Sequence, residues 1–179
     1  SIMTYVSYFR AFLAANTAFA PNCYAEGTGL YEGVAGKPAP FTVFAVNEEG
    51  ERATRGGANV KCFLRDTDEN EVVKVIIRDN LNGTYECHYQ APFASMPDPF
   101  TLHIQIGKAP IKDSPYHPMV KPGEPKPSQC YAEGEGIEKA TAGKTAPFTV
   151  YMQDIKGTKL TEGGHDVDAW LEDPKQGKI

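Results

Sequence analysis

Residues 23–27, Cys-Tyr-Ala-Glu-Gly, recur unchanged at 130–134, 107 positions later in a chain of 179 residues. A true repeat keeps one register over many landmarks, whereas a chance match keeps it over one. The register holds here: Gly36-Lys37-Pro38-Ala39-Pro40-Phe41-Thr42-Val43 returns as Gly143-Lys144-Thr145-Ala146-Pro147-Phe148-Thr149-Val150, and Gly56-Gly57 returns as Gly163-Gly164. The unit is about 100 residues plus a linker, and the second copy reaches only its middle at Ile179.

Between these landmarks the apolar residues recur with a period of two, which puts alternate side chains of a strand on one face. Phe41, Val43 and Ala45 alternate with Thr42, Phe44 and Val46; in the second copy Phe148, Val150 and Met152 alternate with Thr149, Tyr151 and Gln153. The same reading predicts inward sets at Val60, Cys62 and Leu64; at Val73, Val75 and Ile77; at Tyr85, Cys87 and Tyr89; and at Phe100, Leu102, Ile104 and Ile106. A closing segment runs from Ser114 to Val120, and the turn Asp79-Asn80-Leu81-Asn82-Gly83 carries an Asn-Gly pair that tolerates positive φ. With the Cys-Tyr-Ala-Glu-Gly strand in front, about seven short strands fill each unit and no helical pattern of ten residues intervenes. The predicted fold is all-β: immunoglobulin-like antiparallel β-sandwich repeats in tandem.

A short α-helix precedes them. Ile2, Val6, Phe9 and Leu13 form one stripe, widened by Tyr5 and Phe12, while Arg10 and the lack of a basic leading segment argue against a signal peptide. A helix this short is marginal alone, so the stripe is expected to pack on something outside this chain, which reads as cut at both ends. The expected organisation is 1–21 as helix and connector, 22–122 as a complete repeat, 123–128 as a linker and 129–179 as the front half of a second repeat. Pro122, Pro125 and Pro127 bias the linker to an extended, semi-rigid spacer that strings the units as a rod.

Composition bounds the function classes. The 41% hydrophobic and 23% charged residues suit a globular chain, and the net charge of −5 with no Lys/Arg stripe argues against nucleic acid as a partner. No apolar run is long enough to span a membrane. Cys23 and Cys130 are equivalent positions, and Cys62 has Ala169 as its counterpart, so the four cysteines read as small buried residues with free thiols.

Candidate chemistry is sparse. Ala142-Gly143-Lys144-Thr145 resembles the end of a phosphate loop, but Glu138 stands where the first glycine is needed and a strand follows. His88, His103, His117 and His165 lack ligand spacing, and Asp66, Asp68 and Glu69 lack the turn glycine and closing Glu of a calcium loop. No catalytic, cofactor or metal residue is assigned. One feature remains: with Val60, Cys62 and Leu64 inward, Phe63 points outward, and Trp170 repeats this beside Val167, Ala169 and Leu171. Lys61, Phe63, Arg65, Val72, Lys74, Ile76 and Trp170 are therefore a candidate partner-binding face, to which an extended peptide could add as a strand. Cover by a loop or a neighbouring repeat is the alternative.

The ordered motifs CYAEGTGL, AGKPAPFTV, Gly56-Gly57, DNLNGTYECHY and PIKDSPY resemble the filamin-type immunoglobulin repeat, over 22–122 completely and 129–179 in part. SIMTYVSYFRAFL is similar to the closing helix of an actin-binding calponin-homology domain. The resemblance implies a cytoplasmic, cytoskeletal actin cross-linker and scaffold rather than an enzyme, dimeric at full length, contacting actin filaments mainly upstream. It also implies docking of extended peptides from membrane receptors or signalling proteins along the third and fourth strands, here 59–65 and 72–78. The rival reading is an extracellular immunoglobulin-like adhesion module. Two departures concern the closing edge: 91–98 replace a shorter turn, and Pro118 removes a ladder donor from the last strand.

Overall fold

The computed structural model describes residues 2–93, 100–173, 175 and 177–178. Among these the first repeat comprises β1 (Tyr24–Glu26), β2 (Glu32–Val34), β3 (Pro38–Phe44), β4 (Val60–Arg65), β5 (Glu71–Lys74), β6 (Ile76–Asp79), β7 (Thr84–Gln90), β8 (Thr101–Ile106), β9 (Ala109–Pro110) and β10 (Met119–Lys121). They form two antiparallel sheets, ordered β1-β3-β7-β6 and β5-β4-β8-β9, while β10 runs parallel to β2. The molecule is an immunoglobulin-like sandwich, as the alternation predicts.

Alternation sets the core. Tyr85, Cys87 and Tyr89 of β7 point inward with Phe41 and Val43 of β3, and meet Cys62 and Leu64 of β4 and Leu102 and Ile104 of β8. Each fully buried Leu, Ile or Phe contributes roughly 1.5–3 kcal/mol of transfer free energy, so these facing rows hold the sheets together. Buried polar atoms are paired: the Tyr89 hydroxyl donates to the Gly29 carbonyl at 2.7 Å. The four cysteines are free. Cys62 and Cys87 meet between the sheets, where their mutual hydrogen bond and burial push the Cys62 thiol up.

The glycine that ends the repeated pentapeptide has a physical cause. Gly27 lies at φ 134°, and a Cβ there would come within 2.6 Å of the Phe41 Cα; Gly134 lies at φ 138° with its counterpart 2.7 Å from Phe148 Cα. Only glycine allows β1 to leave its partner strand at this point.

Three expectations are corrected. The segment around Val73, Val75 and Ile77 is not one strand: β5 pairs with β4, the buried Val75 breaks the run, and β6 pairs with β7 in the other sheet. The chain crosses from one sheet to the other at Val75 without changing the inward parity. The closing segment from Ser114 is reduced to β10 and an isolated bridge between Leu102 and Tyr116, consistent with the lost donor at Pro118. Of the turn at 91–98, residues 94–98 lie outside the described residues.

The third correction concerns the second copy, which comprises β11 (Tyr131–Glu133), a one-turn helix (Glu135–Glu138), β12 (Thr149–Tyr151), β13 (Glu172–Asp173) and β14 (Gly177–Lys178). β11 and β12 pair in the register of β1 and β3, and the Tyr131–Tyr151 stack matches Tyr24–Phe44. The predicted inward strand at Val167, Ala169 and Leu171 is absent: this stretch is irregular, and all three side chains are exposed. In the first repeat β8 holds β4 in place, whereas among the described residues no strand pairs with this stretch.

The N-terminal helix, α1 (Ile2–Asn16), forms as its stripe predicts and buries no residue. Its carboxyl end is tied to the repeat, through Phe12 and Ala15 and through Asn16, whose Oδ1 accepts from the Thr54 amide and hydroxyl at 3.1 Å each. At the linker, Ala35 N donates to Lys121 O just before it and Lys126 N donates to Gln153 O.

Candidate docking groove

β4 is paired with β8 along its whole length, from Val60 opposite Ile106 to Arg65 opposite Thr101. On its other side β5 reaches only Phe63, Leu64 and Arg65, with a bulge after Leu64. Val60, Lys61 and Cys62 therefore keep one backbone edge without a strand partner, and β6 is the edge of the opposite sheet. Open edges present amide and carbonyl groups that can template an added strand. Two such edges border one side of the sandwich because β5 and β6 separate at Val75.

Six of the seven residues singled out from the sequence lie on these strands: Lys61, Phe63 and Arg65 on β4, Val72 and Lys74 on β5, and Ile76 on β6. Lys61 and Lys74 are exposed, and Ile76 retains 46% of its surface to solvent. Phe63 is half-buried: the Arg65 guanidinium sits 5.6 Å from its ring centre and is itself paired with Glu69 at 3.0 Å. Val72 is half-buried and packs against the core. Trp170 lies in the irregular part of the second repeat, 52% exposed, with its indole N–H donating to Glu172. Sequence parity could not disclose that the open edge belongs to half of β4 alone, because parity does not tell which sheet a strand joins.

Lys61 and Lys74 are exposed cations beside one half-covered aromatic, whereas Arg65 is paired with Glu69 and lies opposite Glu71. The acidic loop beside it is internally satisfied: Asp66 Oδ1 accepts from the amides of Asp68 and Asn70 at 2.9 Å each, which makes it a turn. His88 is exposed, and His103 Nε2 lies 3.2 Å from the Thr101 hydroxyl. Among the described residues no cluster of three metal-type ligands occurs.

The Filamin/ABP280 repeat family model matches residues 17–117. The chain belongs to the filamin-repeat family. It is 30% identical over 138 residues to Filamin-C of Rattus norvegicus, covering 76% of this chain and 4% of that protein. It is 29% identical over 119 residues to the E3 ubiquitin-protein ligase TRIM71 of Xenopus tropicalis, covering 66% of this chain and 14% of that one. Among solved structures it resembles the Lin-41 filamin domain, with a TM-score of 0.50 at 18% identity over 58% of this chain and 96% of that domain, a likeness of fold. The chain thus spans a small fraction of the curated relatives it matches. The filamin repeat is a structural and interaction domain.

Proposed function

We propose that this chain is a rod segment of a cytoplasmic, cytoskeletal scaffold that cross-links actin filaments, and that its first repeat holds extended peptides of membrane receptors or signalling proteins on the β4–β6 side. The observation that carries the docking is the half-open edge of β4 beside the exposed Ile76. Main-chain bonds to that edge would supply affinity, and pockets flanking Phe63 and Ile76 would select alternate side chains. The exposed cations Lys61 and Lys74 favour a peptide with acidic residues between its apolar ones. Similarity to Filamin-C supports the cytoskeletal setting. Actin contacts and dimerisation belong to other parts of the full protein.

Random peptides displayed on phage and selected on this chain test the docking. Ile76→Asp is expected to weaken the selected peptides by about tenfold or more, the scale of one lost apolar contact in a groove. Peptides that bind both forms equally would overturn it. Cosedimentation with actin filaments is expected to leave this chain in the supernatant, and strong pelleting would move the actin contact into these residues.

A further inference from the structure

Asn47 and Asp154 are buried polar residues, each 1% exposed, and they occupy equivalent positions in the two copies. Both close the same loop. Asn47 Oδ1 accepts the Glu51 amide at 2.8 Å, and Asp154 Oδ1 accepts the equivalent Thr158 amide at 3.0 Å and that of Lys156 at 2.8 Å. In each copy the other side-chain atom reaches back to the element before the repeat. Asn47 Nδ2 donates to the Ala15 carbonyl in the last turn of α1 at 3.4 Å, and also to Glu51 Oε2 at 3.4 Å, whereas Asp154 Oδ2 accepts from Gly123 N at 3.0 Å. Ala15-Asn16 and Pro122-Gly123 are themselves counterparts under the repeat.

A second equivalent pair grips the same elements. The Arg55 guanidinium lies 4.7 Å from the centre of the Phe12 ring on α1, and its counterpart Glu162 is paired with Lys121 of β10 at 2.8 Å. Gly123 is held close: a Cβ there would lie 3.1 Å from the Ala35 carbonyl oxygen, 3.1 Å from the Phe93 ring and 3.4 Å from Asp154 Cβ.

The chemistry at each point suits what it meets. The end of the helix offers the Ala15 carbonyl to the Asn47 amide donor and the face of the Phe12 ring to the Arg55 cation. The linker offers an amide N–H and a lysine, and two carboxylates face it. We propose that positions 47 and 55, and 154 and 162, form a two-point socket at the head of each repeat. Its side chains select the element that precedes the repeat: the C-terminal turn of a helix for Asn47 and Arg55, a basic strand end for Asp154 and Glu162. The order of units along the chain is then written in these four residues.

Reciprocal exchange in the full 179-residue chain tests this by nitrogen-15 NMR. N47D/R55E keeps an oxygen for the Glu51 amide but sets carboxylates against the helix end. D154N/E162R keeps one oxygen for the loop amides but turns an NH2 group toward Gly123. The order parameters of residues 2–16 are expected to fall from about 0.85 to below about 0.6 in the first variant. Exchange of the Gly123 amide is expected to rise about tenfold or more in the second, the effect of losing a charge-assisted bond. The Glu51 and Thr158 amides stay protected in both. Arg55→Glu and Glu162→Arg alone, which leave the loops untouched, move the same readouts in the same direction. Unchanged helix and Gly123 dynamics would overturn the socket. So would loss of Glu51 and Thr158 protection together with theirs, because these residues would then only build the loop.

Discussion

A carboxylate as buried as that of Asp154 is unfavourable unless donors replace its water. Burial pushes its pKa up, but the amides of Gly123, Thr158 and Lys156 and the Thr158 hydroxyl outweigh this and hold it below the usual carboxylate value. A group whose folded pKa is depressed contributes stability above its unfolded pKa, near 3.9, and that stability is lost as pH falls through the folded value. The titratable side chains lining the cleft around its partner Gly123 are Lys121, Glu124, Glu162 and His165. Glu162 is lowered by its hydrogen bond to Lys121, and Glu124 by its bond to Lys37, so they too are charged at neutral pH. The Asp154–Gly123 hydrogen bond is therefore expected to hold down to about pH 4 and to loosen below it. Carbon-13 titration of the Asp154 carboxyl, with the Gly123 amide shift followed alongside, checks this. A midpoint at or above about 3.9 would show that the backbone donors do not hold the charge.

At the scale of elements, the question for β4 is whether its outward aromatic belongs to a surface or to a core. Phe41, 3% exposed on β3, is core, and Phe41→Ala is expected to cost about 3–5 kcal/mol. Phe63 is only half-buried beneath Arg65, and Phe63→Ala is expected to cost about 1–2 kcal/mol, the value for a partial loss of apolar cover. Urea unfolding of both variants decides it, and equal losses would remove Phe63 from the docking surface. Much of this arrangement was legible in advance. The parity of 41/43, 62/64, 85/87/89 and 102/104 reads directly as inward rows, because each strand has one buried face. The break at Val75 was hidden because Val73, Val75 and Ile77 keep their inward parity while the chain moves from one sheet to the other. Val167, Ala169 and Leu171 carry equally good parity and form no strand, since alternation proposes a face but only a neighbouring strand can hold it. The burial of Asn47 and Asp154 was missed for a related reason: an Asx at the end of an alternating run reads as an exposed turn, and only their equivalence under the repeat hinted otherwise.

For the molecule as a whole, the same residues stand in two environments, which separates local sequence from tertiary support. Phe41 is 3% exposed and its counterpart Phe148 46%; Val43 is fully buried and Val150 half-buried; Cys23 is fully buried and Cys130 half-buried. β3 is sandwiched between β1 and β7, whereas β12 has β11 as its partner among the described residues. A lone two-stranded pairing is marginal in water, so β11 and β12 should open locally at little free-energy cost while β1 and β3 open only with the whole sandwich. Hydrogen exchange read by mass spectrometry on peptides covering the two pairs is expected to run at least about 100-fold faster for β11–β12 than for β1–β3. Protection within about tenfold would mean that the second copy is held by contacts with the first, and the Gly123–Asp154 and Lys121–Glu162 contacts are where that support would enter. Repeating the exchange with D154N/E162R then apportions the protection: if it falls for β11–β12 and not for β1–β3, the joint stabilises the second copy as well as orienting it.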